Sequence, residues 1–252
     1  MRNIRLALTF DGTNYHGWQV QQNAMTVQQK VQDVLGVILG RRPLLTGCSR
    51  TDAGVHANEY ICNFTTDRTI ACDCLLRALN AALPRDIAVL RCGEAPVGFH
   101  ARYDAVSKEY LYKIDTGPVR NPFLRDYALY YPHALDAGRL DAAASAFLGT
   151  HDFRAFCASG GSIKDLSRTV TRFSCERSGP LVTFTVRADG FLYNMVRIMA
   201  GTLLYVAQGR LAAENLPAVI AGGERAAAGP TAPAHGLYLN RVFYSDAKEL
   251  ES

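Results

Sequence analysis

The sequence predicts an α+β protein made of two βαββαβ-type sandwiches, with antiparallel sheets side by side and a cleft between them. Three observations predict it. The first hundred residues read as strand, helix, strand, strand, helix, strand. The second half repeats that order loosely. A chain of 252 residues, 48% hydrophobic and 20% charged, has the composition of a globular protein long enough for two domains of ordinary size.

In order, Ile4, Leu6, Leu8 and Phe10 alternate with Arg5, Ala7 and Thr9 as a strand that Asp11-Gly12 ends. Thr26 and Gln29 have the spacing of a capping box, and Val27, Val31, Val34, Leu35 and Ile38 share the face of the helix they open, which Gly40 closes. A short strand is expected around Leu44 to Cys48 and a second near Tyr60 to Phe64. Asp73 can cap a helix carrying Leu75, Leu76 and Leu79 that Pro84 stops, and Ile87 to Arg91 is again strand-like. That order is ferredoxin-like. In the second half, Tyr110, Tyr112 and Ile114 alternate, and Asp136 to Leu148 forms an amphipathic helix. Val170 to Cys175 and Val182 to Val186 pair across Ser178-Gly179-Pro180. Helices follow over Tyr193 to Gln208 and on to Ile220, 222–236 is a loop, and Leu237 to Tyr244 closes the set. The expected division is 1–104 and 105–252.

Charge narrows function only a little. The formal net charge is +4, and 22 of the 27 basic residues are arginine, whose forked donors suit phosphate. An arginine-rich proteome would produce the same bias. Seven irregularly spaced cysteines form no disulfide framework, and Cys72-Asp73-Cys74 lacks zinc-site spacing, so no metal is expected and a reducing cytoplasm is the natural setting. No signal peptide is read at the N-terminus. The apolar run Met195 to Ala207 is too short to span a bilayer and contains Arg197, so no membrane role is expected.

The segment with most chemistry is Gly47-Cys48-Ser49-Arg50-Thr51-Asp52-Ala53-Gly54-Val55-His56, a loop between two expected strands. Arg50 and Asp52, two apart, point the same way in extended chain, and a guanidinium beside a carboxylate favours its charged form. An ordinary Asp-Ala-Gly turn with a surface ion pair fits the same spacing. Arg197 lies in an apolar helix and needs a carboxylate partner, for which Asp52 and Asp189 are both candidates. His151-Asp152 has no nucleophile motif beside it and reads as structural. No Walker loop, GxGxxG, HExxH or GxSxG occurs, so no cofactor, nucleotide or otherwise, is expected.

The loop Arg50 to His56 resembles the catalytic loop of the TruA-type pseudouridine synthases, and further matches run in order along the chain. They are Tyr15-His16-Gly17-Trp18-Gln19, Phe99-His100-Ala101-Arg102, Lys108-Glu109-Tyr110, His151-Asp152-Phe153, Met195-Val196-Arg197, and Thr231 to Leu237. The resemblance implies that Asp52 is the catalytic aspartate, Tyr110 the base-contacting tyrosine and Arg197 the arginine paired with the aspartate. Arg50 falls at the motif's other basic position and, with Tyr110 and Arg197, is expected to bind substrate. It further implies a homodimer, an active site in the cleft, and as substrate the anticodon arm of tRNA, at positions roughly 38 to 40, whose uridine must be flipped out of its stack. The loop 158–167, where a family member would touch RNA, has no residue onto which contacts can be carried.

The implied reaction breaks the bond from uracil N1 to ribose and joins C5 to the same carbon, with no net change of atoms. It needs neither redox cofactor nor ATP, and one carboxylate could act as nucleophile or base. Two other readings are a non-catalytic tandem RNA-binding protein and a glycosidase-like hydrolase. The first lacks closely spaced aromatics on a central strand, and the second needs two carboxylates where only Asp52 is well placed.

Overall fold

The structure, a computed structural model, describes residues 1–160 and 165–245. It is a mixed α+β chain that divides into two compact units, Met1–Ser107 with the segment from Tyr238 onward, and Lys108–Leu237.

In the first unit β1 (Arg2–Phe10) lies between β3 (His56–Thr66) and β4 (Ile87–Ala95) and is antiparallel to both. The two-residue β2 (Thr46–Gly47) pairs with β3 through Gly47 opposite Cys62. β1 is buried from Asn3 to Leu8 and again at Phe10. Helix α1 (Val27–Leu39) buries Val27, Val31, Leu35 and Leu39, while Val34 and Ile38 of the expected face are half-buried. Thr26 caps it by accepting from Gln29 N–H at 3.3 Å, and Gly40 ends it at φ +76°. The reciprocal half of the capping box is not made. Helix α2 (Cys72–Ala82) packs on α1 and β4 and buries Leu75 and Leu79. Its N-cap is Ala71, not Asp73; Asp73 sits inside the first turn, where its charge still favours the positive end of the helix.

The second unit carries β5 (Ser107–Asp115), with the short β6 (Leu129–Tyr130) parallel beside it. Helix α3 (Ala137–Ala144) is shorter than expected; Asp136 caps it and a 3-10 turn takes over at Ser145. The edge strand β7 (Gly149–Asp152) pairs with β8 (Ser167–Ser178), which turns through Gly179-Pro180 into β9 (Leu181–Ala188), and β9 lies antiparallel to β5. Helix α4 (Met195–Ala207) is buried nearly all round, and α5 (Leu216–Gly222) follows it. Tyr112, Phe147, Phe153, Phe156 and Phe184 fill this unit's core. The last strand, β10 (Leu237–Phe243), was expected to complete the second-half set. From Tyr238 on it belongs to the first unit, where it runs parallel to β3 with Tyr238 opposite His56.

Candidate active site

The Asp52 loop leaves β2 after Gly47 and enters β3 at His56. Val55 N–H donates to the Asp52 carbonyl at 3.2 Å, closing a turn in which Gly54 holds φ +77°. A positive φ at the third position of such a turn calls for glycine. The preceding segment clamps this turn through backbone alone. Trp18 N–H donates to the Thr51 carbonyl and Gly54 N–H to the Tyr15 carbonyl, each at 3.2 Å. Gly17, at φ +80°, lies so close that a Cβ there would strike the Thr51 carbonyl, and one on Gly12 would strike that of Val55. The Trp18 ring stacks on Tyr60 at 4.0 Å between centroids, and the Tyr60 hydroxyl donates to the Ser49 carbonyl. The tyrosine–tryptophan motif therefore fixes the loop by its backbone.

Asp52 itself is half-buried, and Thr51 beside it is buried. Arg50 is exposed, and its guanidinium has no hydrogen-bond or ion-pair partner among the described residues. The surface ion pair that Arg50 and Asp52 could have made is not formed. His56 is buried, stacked on Tyr238 at 4.7 Å, and its Nδ1 accepts the Gly12 N–H at 3.0 Å. Asp11 Oδ1, which accepts the Thr13 N–H and hydroxyl, lies 3.1 Å from the same nitrogen. His56 anchors the end of the loop.

In the second unit Arg197 stands two residues into α4. Its Nε donates to the Ala232 carbonyl at 2.7 Å and a terminal nitrogen to Asn194 Oδ1 at 2.8 Å, while Ala232 N–H returns a bond to the Arg197 carbonyl at 3.1 Å. Asn194 precedes the helix at φ +60°, the one non-glycine residue with positive φ among the described residues. Gly201 lets the Pro230 carbonyl approach the helix, and the Thr202 hydroxyl accepts Gly229 N–H at 2.8 Å. Segment 229–233 is thus docked on α4 around Arg197. Asp189, one candidate partner of Arg197, accepts instead from Thr169 N–H at 3.0 Å.

Tyr110, on β5, is only 6% exposed and meets Phe191 edge-on at 4.9 Å. Its neighbour on that face, Tyr112, donates to the Pro233 carbonyl at 2.9 Å; burial pushes its phenol above the usual range, with the Arg197 charge opposing. Asp152 is held below the usual carboxylate range by Arg154, and His151 bonds the Leu148 carbonyl at 2.8 Å, so this pair is structural. All seven cysteines are free, and burial raises the thiols of Cys92 and Cys175 to about 12, which argues against thiolate chemistry there. Among the described residues no group of three His, Cys, Asp or Glu side chains could hold a metal ion, and no helix is long and apolar enough to cross a membrane. Residues 161–164 of the loop expected to meet RNA lie outside the described residues.

Sequence reasoning missed Asn194 as the support of Arg197, and the use of Tyr15 to Trp18 as a clamp. A non-glycine αL residue has no signature beyond being asparagine before a helix. The closely spaced Gly12 and Gly17 were the available signal for the clamp.

A family described as tRNA pseudouridine synthase matches residues 6–104 and 143–245. A protein of Acetivibrio thermocellus named tRNA pseudouridine synthase A is 46% identical over 244 residues, spanning 97% of this chain and 100% of the relative. One of the same name from Ruminiclostridium cellulolyticum is 44% identical over 245 residues, with 97% and 100% covered. Another from Bacillus pumilus is 41% identical over 245 residues, with 96% and 99% covered.

Proposed function

The chain belongs to the tRNA pseudouridine synthase family, and from that membership we propose that Asp52 is the catalytic carboxylate of an isomerase that converts uridine to pseudouridine in the anticodon stem-loop of tRNA. The observation that carries the assignment to Asp52 is the clamp: two backbone hydrogen bonds and two glycine approaches fix the loop that presents this one carboxylate. A reacting group gains most when its geometry is set before the substrate arrives.

The reaction requires the bond from ribose C1′ to uracil N1 to break and a bond from C1′ to C5 to form. The C5 proton leaves and N1 gains one, so nothing is oxidised and no co-reactant is consumed. Asp52 acts on the sugar, as nucleophile at C1′ or as base toward the C2′ proton. Arg50, Tyr110 and Arg197 bind the substrate RNA. The target positions, roughly 38 to 40 in tRNA, are those whose bases must be flipped to be reached. A homodimer in the cytoplasm completes the reading.

We read each unit as a ferredoxin-like sandwich. The strand order β4-β1-β3 with α1 and α2 in contact supports this in the first unit, and β5-β9-β8 with α3 against β8 supports it in the second.

The test is incubation with tRNA carrying tritium at uracil C5. Tritium release with the base retained on the RNA is the expected result. Base loss would identify a hydrolase, and no release at any tRNA would leave a binding protein.

A further inference from the structure

Next to the Asp52 loop, and wholly within the first unit, lies a cleft of about 220 Å³. Trp18, Ser49, Arg50, His100, Arg102 and Tyr103 are among its lining residues, and among the described residues no carboxylate lines it. Its volume is below the ~300 Å³ at which sites for whole small molecules begin.

The wall made by 100–103 is unusually well fixed for a surface segment. Asn3 and Asn63 side-chain amides donate to the Phe99 carbonyl at 2.9 and 3.1 Å. Ala101 N–H donates to Asn63 Oδ1 at 2.9 Å, and the buried Tyr244 hydroxyl donates to the Ala101 carbonyl at 2.7 Å. His100 Nδ1 accepts the N–H groups of Arg102 and Tyr103 at 3.2 and 3.3 Å, which sets the imidazole ring. That ring stacks on Tyr103 at 4.3 Å, and the Arg102 guanidinium lies 5.7 Å from the Tyr103 centroid. Phe99 and Ala101 are buried while Tyr103 is 76% exposed. A rigid backbone thus displays an aromatic ring and a cation to solvent, and among the described residues neither Arg50 nor Arg102 is paired with a carboxylate.

We propose that this cleft is a subsite for a single-stranded nucleotide one or two steps from the target uridine, with its base on Tyr103 and its phosphate at Arg102 and Arg50. Ring stacking is indifferent to base identity and a guanidinium recognises phosphate, which together are what a splayed RNA strand offers. The reach follows from the chain: Arg50 is two residues from Asp52, at most about 7 Å along extended backbone. That is on the order of one backbone step of RNA. The subsite rests on the reading of Asp52 as the catalytic carboxylate.

The test measures Kd without turnover, for the full chain and an anticodon stem-loop RNA, intact or made abasic at either of the two positions on each side of the target uridine. Tyr103→Ala weakens binding of intact RNA by roughly 5- to 140-fold. Tyr103→Phe restores it, and the loss disappears on at least one of the four abasic RNAs. Arg102→Ala lowers the slope of log Kd against log salt by about one. An unchanged Kd for Tyr103→Ala, or the same loss on intact and all four abasic RNAs, overturns the subsite. An unchanged slope contradicts the phosphate contact. Turnover of uridine by Asp52→Asn would instead overturn the catalytic reading while leaving these binding results to stand by themselves.

Discussion

The Arg197 side chain donates to two acceptors in its own neighbourhood, and each loss has a consequence when the side chain is cut back. Arg197→Ala removes the donors to the Ala232 carbonyl and to Asn194 Oδ1. Polar groups left without a donor cost about 1–3 kcal/mol. Melting should therefore fall by several degrees, and activity per folded molecule should fall as well. Arg197→Lys should recover only part of both, because one ammonium cannot serve both acceptors in the fork geometry. A variant with wild-type melting and rate would remove Arg197 from any role. Tyr110 is separable by a pair of substitutions. If its ring holds the uracil, Tyr110→Ala abolishes single-turnover activity with little change in tRNA affinity, which phosphate contacts dominate. Tyr110→Phe then stays within a few-fold. Its burial, at 6% exposure against Phe191, gives the opposing outcome equal clarity. A destabilised Tyr110→Ala protein with a normal rate per folded molecule makes it a core residue and nothing more.

At the scale of elements, the clamp between 15–18 and 51–54 converts backbone geometry into placement of Asp52. Gly17→Ala introduces a side chain at φ +80°, against the Thr51 carbonyl. The strain is about 1–3 kcal/mol, and a loop displacement on the order of 1 Å costs about 100-fold in rate. Comparing melting with single-turnover rate checks this; an unchanged rate would mean that the loop is held by other means. The same elements show what could be read from sequence. The α1 face and Gly40 were legible because period and terminator coincide, and the Gly54 turn because glycine and aspartate chemistry agree. The cap of α2 was not: Asp73 is a good capping residue by type, yet the chain enters that helix two residues earlier, at Ala71. The edge strand β7 was missed because four residues, none of them fully buried, leave no alternation to detect. The place of β10 was missed because pairing with β3 is set by tertiary contacts and not by its own pattern. Of the cluster, His100 and Arg102 were quoted only as part of a motif and Tyr103 was not singled out, since its stacking depends on bonds from Asn3, Asn63 and Tyr244, far away in sequence.

For the whole molecule, two compact units and a net charge of +4 give little hint of an RNA enzyme. Of the candidate residues, Asp52 was the most legible, because a loop motif carries it complete in ten residues. Arg197 was singled out by its apolar helix, though its partner was left open there, and Tyr110 entered only through resemblance, since a tyrosine on a strand has many uses. The central claim is that one carboxylate performs the chemistry. Asp52→Asn keeps the shape and backbone bonds of the loop while removing both nucleophile and base. The decisive measurement is its single-turnover release of tritium from tRNA labelled at uracil C5, at enzyme concentrations that saturate binding. No detectable release, with wild-type melting and tRNA affinity, is the predicted result; release within tenfold of the wild-type rate would contradict it.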